Sequence, residues 1–199
     1  MKRTTQLLGI AILLLAFAFT PTAKKIVVID VGHGGNDPGA QVGSALEKEI
    51  VMSIARKIQV LNTNTNIEII LSRDQDQFKS LSERTQFINS LNPDLVISLH
   101  AGISNNPQLS GADIFISNQN IKKNQSGALA LNLLYSINSE KVEIKKADFY
   151  VLKNSLAPAA LVELGLLSNN EDRTYLTSEA GQKELAQSIL NAIDTESKE

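Results

Sequence analysis

The apolar positions of this chain come in short runs, and two periods alternate along it. "KIVVID" (25–30), "IEIIL" (67–71), "DLVISLHA" (94–101), "ADIFIS" (112–117), "DFYVL" (148–152) and "AALVELG" (159–165) have the length and side chains of strands. The alternation in "ADIFIS" leaves one face of that strand exposed. Helical stripes lie between them. "EKEIVMSIARKIQVL" (47–61) places apolar side chains at 50, 51, 54, 58 and 61, and "SLSERTQFINSL" (80–91) turns 81, 87, 88 and 91 inward. "SGALALNLLYSI" (126–137) and "SEAGQKELAQSILNAI" (178–193) continue the series. Strands alternating with helices predict an α/β fold: a single domain with a twisted, mostly parallel or mixed sheet and helices on both faces. "NTNTN" (62–66) and "ISNNPQLSG" (103–111) are polar connections, and no internal repeat or low-complexity linker divides the chain.

The first stretch breaks the pattern. Residues 1–23, "MKRTTQLLGIAILLLAFAFTPTA", start with Lys2 and Arg3, run through 13 apolar residues from Leu7 to Phe19, and close on the small residue Ala23. That is the layout of a secretory signal peptide, with an imperfect small-residue pattern at the cut. The apolar run falls short of the roughly 20 residues that cross a bilayer, which makes an uncleaved anchor the second reading and stable membrane insertion unexpected. Export places the protein in the periplasm or outside the cell, associated with the wall. Cleavage after Ala23 leaves 24–199 with 17 basic and 21 acidic residues, a formal charge of −4. This mildly acidic balance argues against nucleic acid as a partner, since phosphate neutralisation needs basic patches. There is no cysteine. That excludes a lipoprotein anchor, a disulfide, a thiolate ligand and a cysteine nucleophile. An exported chain without disulfides needs a core that stands alone, and this length at 43% hydrophobic residues supplies one.

Chemistry concentrates at strand ends. The chain has two histidines. His33 follows the first strand in "VVIDVGHGGNDPGA", and His100 closes another in "LVISLHA". Glu163 sits inside the apolar run "ALVELGLLSNN" (160–170), where an unpaired charge would be costly. In open α/β sheets the carboxyl ends of strands form the ligand rim, so these three could converge. Taken singly, each is better explained as a buried polar group with an ordinary partner. Gly32, Gly34 and Gly35 do not fit a phosphate loop, because neither G-x-G-x-x-G nor Gly-Lys-Ser/Thr is present. They read as a turn, and Asp37-Pro38-Gly39 as a second one. Two histidines and one carboxylate make a common catalytic zinc set with an open position for water. Asp30, Asp37 and Glu47 are the candidate carboxylates. Ser44 to Glu47 also fits a capping box, and on spacing alone the cap is the better reading of Glu47. Arg73 and Asp74 read as a strand-end turn and ion pair, Arg84 as an exposed or structural helix residue, and Ser168 and Asn169 as the cap of a short helix.

Four blocks, in order, resemble the zinc-dependent N-acetylmuramoyl-L-alanine amidases, a family of peptidoglycan hydrolases. They are "IVVIDVGHGGNDPGA" (26–40), "LEKEIVMSIARKI" (46–58), "LSRDQDQFKSLSERTQFINSLNPDLVISLHA" (71–101) and "ADFYVLKNSLAPAALVELGLLSNNED" (147–172). The likeness spans about 26–193. It implies zinc as cofactor, His33, Glu47 and His100 as its ligands, and Glu163 as the catalytic carboxylate. It thereby reverses the preference at Glu47. It implies that 24–199 is the catalytic domain, that the partner is peptidoglycan, and that zinc-activated water cleaves the amide between N-acetylmuramic acid and L-Ala. The sequence departs from the family at Val31, often Pro; at Glu49, often Asp; at Gly102, often Asn; and at Leu166, often Phe. None is a proposed ligand. Some relatives carry a long insertion whose helix plugs the site; the nine residues 103–111 leave no room for one. The alternatives are a zinc peptidase or other envelope amidohydrolase, and a peptidoglycan-binding protein without catalysis. Oligomeric state is left open.

Overall fold

The computed structural model describes residues 23–137 and 142–196. The predicted signal peptide, 1–23, lies outside the described residues except for Ala23. Among the described residues no helix is long and apolar enough to cross a membrane.

The chain builds β1 (Lys25–Val31), β2 (Gln41–Val42), β3 (Ala45–Leu46), α1 (Glu47–Leu61), β4 (Ile67–Leu71), α2 (Leu81–Ser90), β5 (Leu95–Gly102) and β6 (Ala112–Ile116). It continues through α3 (Lys123–Ser136), β7 (Val142–Lys146), α4 (Tyr150–Asn154), β8 (Ala159–Leu166), α5 (Asn170–Thr177) and α6 (Glu179–Glu196). Six strands form one sheet in the order β4-β1-β5-β8-β6-β7, and β2-β3 is a separate small hairpin. Every pair in the large sheet is parallel except β6–β8. The predicted α/β architecture with a mostly parallel sheet is therefore the one observed.

Two-residue alternation sorts the strands between the two faces. Val27, Ile29, Ile97, Leu99, Val162 and Leu164 enter the larger core with α1, α3 and α6 residues such as Ile54, Leu133 and Ile189. Val28, Val96, Ala159 and Leu161 face the opposite way, onto Ile88 of α2 and Val151 and Leu152 of α4. Glu163 follows Leu161 on this second face, beyond the end of its apolar layer.

Local chemistry sets the element ends. At α2, Ser80 Oγ accepts from the Glu83 N–H at 3.2 Å, and Glu83 Oε2 accepts from the Ser80 N–H at 2.8 Å. Such a cap contributes about 1 kcal/mol. Asn169 caps α5 as predicted, its Oδ1 accepting from the N–H groups of Glu171 and Asp172. Ser168 does not share that role; its Oγ accepts from the Ser104 N–H.

"DFYVL" is not a strand. Phe149 caps α4, and Asn120 Nδ2 donates to the carbonyls of Leu152, Ser155 and Ala157, holding the segment coiled. The strand beside β6 is instead "VEIKK", too polar to be read as one. It is an edge strand whose apolar residues, Val142 and Ile144, are only half-buried. Arg84 is buried, and Leu81, predicted inward, is exposed.

Candidate metal centre and catalytic cavity

The carboxyl end of β1 runs into a loop held by one side chain. Arg73 is buried and donates to the carbonyls of Val31 (3.3 Å), Gly32 (2.9 Å), Lys48 (2.9 Å) and Gln75 (3.1 Å). It makes these backbone bonds in place of the predicted ion pair with Asp74. Gly34 and Asp37 then exchange backbone bonds at 2.9 and 3.1 Å. Between these anchors His33 adopts φ 58°, a left-handed conformation uncommon outside glycine. Asp37 Oδ2 lies 2.8 Å from His33 Nδ1. With a proton on Nδ1, Nε2 is left free as a ligand atom.

Glu47 opens α1, whose N-cap is Leu46 with no side-chain cap bond. The Ser44–Glu47 capping box does not form, because Ser44 sits in the turn between β2 and β3 and the Glu47 carboxylate is engaged elsewhere. Its Oε2 accepts from the Ala40 N–H at 2.7 Å and lies 3.1 Å from His33 Nε2. Its Oε1 accepts from the Ala101 N–H at 3.0 Å and lies 2.9 Å from His100 Nδ1. One ligand atom from each of His33, Glu47 and His100 lies within 4.8 Å of the others. The imidazoles meet almost edge to face, with centroids 5.1 Å apart. Burial pushes the Glu47 carboxyl up, but bonds from His100 and His33 outweigh it and hold the carboxyl far below its usual range. The bond to Glu47 correspondingly raises His33, with burial opposing.

Glu163 stands beside this set. It pairs in register with His100 on β5 and with Asp113 on β6. A cavity of about 230 Å³ is lined by His33, His100, Glu163, Ser98 and Arg84, with Phe149 and Tyr150 on an apolar wall. Burial and then the Asp113 charge push the Glu163 carboxyl above its ordinary value, with His100 opposing. One layer below, Asp30 is fully buried and accepts from Ser98 Oγ at 2.7 Å and from Arg84 Nη1 at 3.3 Å. Asp30, a candidate ligand by sequence, is thus occupied beneath the rim, and Asp37 supports His33.

A donor set of two imidazoles and one carboxylate, with a carboxylate behind one imidazole, could hold a divalent metal ion. The profile of the family described as N-acetylmuramoyl-L-alanine amidase matches residues 27–195. The chain belongs to this family. It is similar to the uncharacterized protein YqiI of Bacillus subtilis, 31% identical over 198 residues, covering 97% of this chain and 96% of the relative. It is 28% identical over 224 residues to the germination-specific N-acetylmuramoyl-L-alanine amidase of that organism, covering 97% and 93%. Among solved structures, N-acetylmuramoyl-L-alanine amidase AmiC2 of Nostoc punctiforme superposes with a TM-score of 0.80 at 31% identity, covering 90% of this chain and all of that one.

Two of the departures from the amidase family face one another. Gly102 pairs in register with Leu166, and a Cβ on Gly102 would meet Leu166 Cδ2 at 2.8 Å and Glu163 Oε2 at 3.1 Å. Gly39 matters more directly. It has φ +67°, and a Cβ there would strike Glu47 Oε2 and lie 2.7 Å from His33 Cδ2. Gly39→Ala is therefore expected to weaken metal binding about tenfold or more, comparable to the loss of a supporting contact behind a ligand. Titration against a competing chelator measures this, and an unchanged affinity would show that the loop relaxes at no cost. Sequence reasoning missed Arg73 as the clamp of this loop, and Arg84 and Ser98 as cavity walls. A buried arginine bonded only to backbone carbonyls leaves no pairing pattern in sequence.

Proposed function

We propose that the chain is an exported peptidoglycan hydrolase that cleaves the amide between N-acetylmuramic acid and L-Ala, with zinc held by His33, Glu47 and His100 and Glu163 as its catalytic carboxylate. In this reading residues 1–23 are the signal peptide and 24–199 the catalytic domain. The observation that carries it is the meeting of Glu163 with the two histidines in one cavity, beside a carboxylate that both histidines contact. The donor atoms suit zinc, which takes imidazole nitrogen and carboxylate oxygen and in catalytic sites keeps three protein ligands.

Bound there, zinc supplies Lewis acidity, lowering the pKa of a water toward roughly 7 and polarising a carbonyl. The protein's own groups do the rest. Asp37 fixes the His33 ring and its tautomer through Nδ1. The Ala40 and Ala101 N–H groups hold both Glu47 oxygens in place. Glu163 accepts a proton from the attacking water and passes it to the departing amine of L-Ala. Its raised affinity for protons suits the first step, because a more basic carboxylate takes the proton of the attacking water more readily.

The test is digestion of sacculi by the purified chain, with and without a chelator, followed by mass spectrometry. Released peptides beginning at L-Ala, lost on chelation and restored by zinc, are the expected result. Fragments cut within the peptide would favour a zinc peptidase, and no release with zinc added would leave a binding protein.

A further inference from the structure

Arg84 is the Arg or Lys side chain that lines the catalytic cavity. It is 4% exposed, and its hydrogen bonds go to one partner: Nη1 donates to both Asp30 oxygens at 3.3 Å. Nε is the buried side-chain atom left without a partner among the described residues, and Nη2 meets no acceptor among them. Buried polar groups are almost always satisfied, and a charged donor left bare is among the costliest exceptions. Nε and Nη2 lie along one edge of the guanidinium, the edge that grips a carboxylate with two parallel bonds.

We propose that Arg84 is an anion subsite of the active cavity, taking the carboxylate of the stem-peptide residue that follows L-Ala. The inference rests on the amidase reading above. Arg84 lines the cavity, and Nη2, unlike Nε, is not among the closed-off unpaired atoms, so in this proposal it offers the first bond. Nε stands behind it, closed to water, and a small outward turn of the side chain on binding brings both N–H groups to one carboxylate. Asp30 already neutralises one formal charge, so recognition rests on two directed bonds rather than on net charge. That favours a planar carboxylate over a carboxamide, which presents one acceptor and a repelling NH₂. The cavity, at about 230 Å³, is smaller than the roughly 300–1,000 Å³ of whole-ligand pockets, so it holds only the part of the substrate next to the scissile amide. Arg84 and Glu163 line this one small cavity together, which is what places the anion subsite next to the scissile amide in this proposal.

The experiment uses the zinc-loaded chain and two muramoyl-tripeptides that differ only in the second residue, one with a free α-carboxylate and one with an α-carboxamide. The wild-type chain is expected to favour the carboxylate about tenfold or more in kcat/KM, mostly through KM, as a charge-assisted hydrogen bond would. Arg84→Lys keeps a cation beside Asp30 but loses the planar edge, and should bring the ratio close to one. A purely structural Arg84 would lower the Tm and slow both substrates equally, leaving the ratio intact. If Arg84→Lys fails to fold, Arg84→Met combined with Asp30→Asn removes both buried charges and reads the same ratio. Equal wild-type rates on the two substrates, or a ratio that survives in the variants, overturns the Arg84 proposal alone. Hydrolysis of neither substrate by the wild-type chain overturns the amidase reading, and this inference with it.

Discussion

Glu163→Gln is expected to remove turnover while leaving fold and bound zinc unchanged. Gln has the same shape and cannot carry a proton at neutral pH. Among the described residues no hydrogen bond joins Glu163 to the Glu47 carboxylate, whose bonds go to Ala40, Ala101 and the two histidines. General acid–base groups contribute roughly 10²- to 10⁴-fold, so kcat should fall within that range, while metal analysis still gives one zinc per chain. The pH profile carries the same signature. Glu163 works as a base only when ionised, and burial with Asp113 sets its pKa above the ordinary value. Activity is therefore present above that pKa and is lost as pH falls through it. Native-rate hydrolysis by Glu163→Gln would take the catalytic role away from this residue.

Glu47→Ala is expected to abolish zinc binding at micromolar metal and to destabilise the chain. The carboxylate joins the two histidines and accepts the N–H groups of Ala40 and Ala101. Removing it leaves two imidazoles, too few for a catalytic zinc site, and two backbone donors without acceptors. Each such donor costs about 1–3 kcal/mol when closed to water. A residue that only capped α1 would cost about 1 kcal/mol and leave the metal in place. Zinc stoichiometry from metal analysis and the urea midpoint distinguish the two. Full stoichiometry in Glu47→Ala would remove this residue from the ligand set.

The sheet was legible because its central strands are apolar on both faces and its strands are bounded by polar connections. β1, β4, β5, β6 and β8 are read from such runs within a residue or two of their ends. β7 was missed because an edge strand faces water and "VEIKK" carries charge where a central strand carries Val or Ile. "DFYVL" was misread because five apolar-rich residues do not reveal whether a distant Asn120 will gather the carbonyls that follow. The convergence of His33, His100 and Glu163 was legible from the strand-end rule. Glu47 was not. Its spacing from Ser44 favoured a cap, and only the family resemblance reversed that. The hairpin of β2 and β3, two residues a side, is what takes Ser44 away from the helix and frees the carboxylate. For Arg84 the sequence left exposed and structural roles open, because its partner, Asp30, lies 54 positions away.

The reach of Arg73 changes how many parts must be brought together to hold an ion. One planar guanidinium binds the carbonyl beside His33 and the carbonyl beside Glu47. Arg73 thus ties those two residues to one another, while His100 lies on β5 within the sheet. If the proposed ligand set holds a metal, two pieces rather than three must meet, which would spare the ordering entropy of a separate loop. In the proposed zinc site, this tether would add to the affinity that the ligands themselves provide.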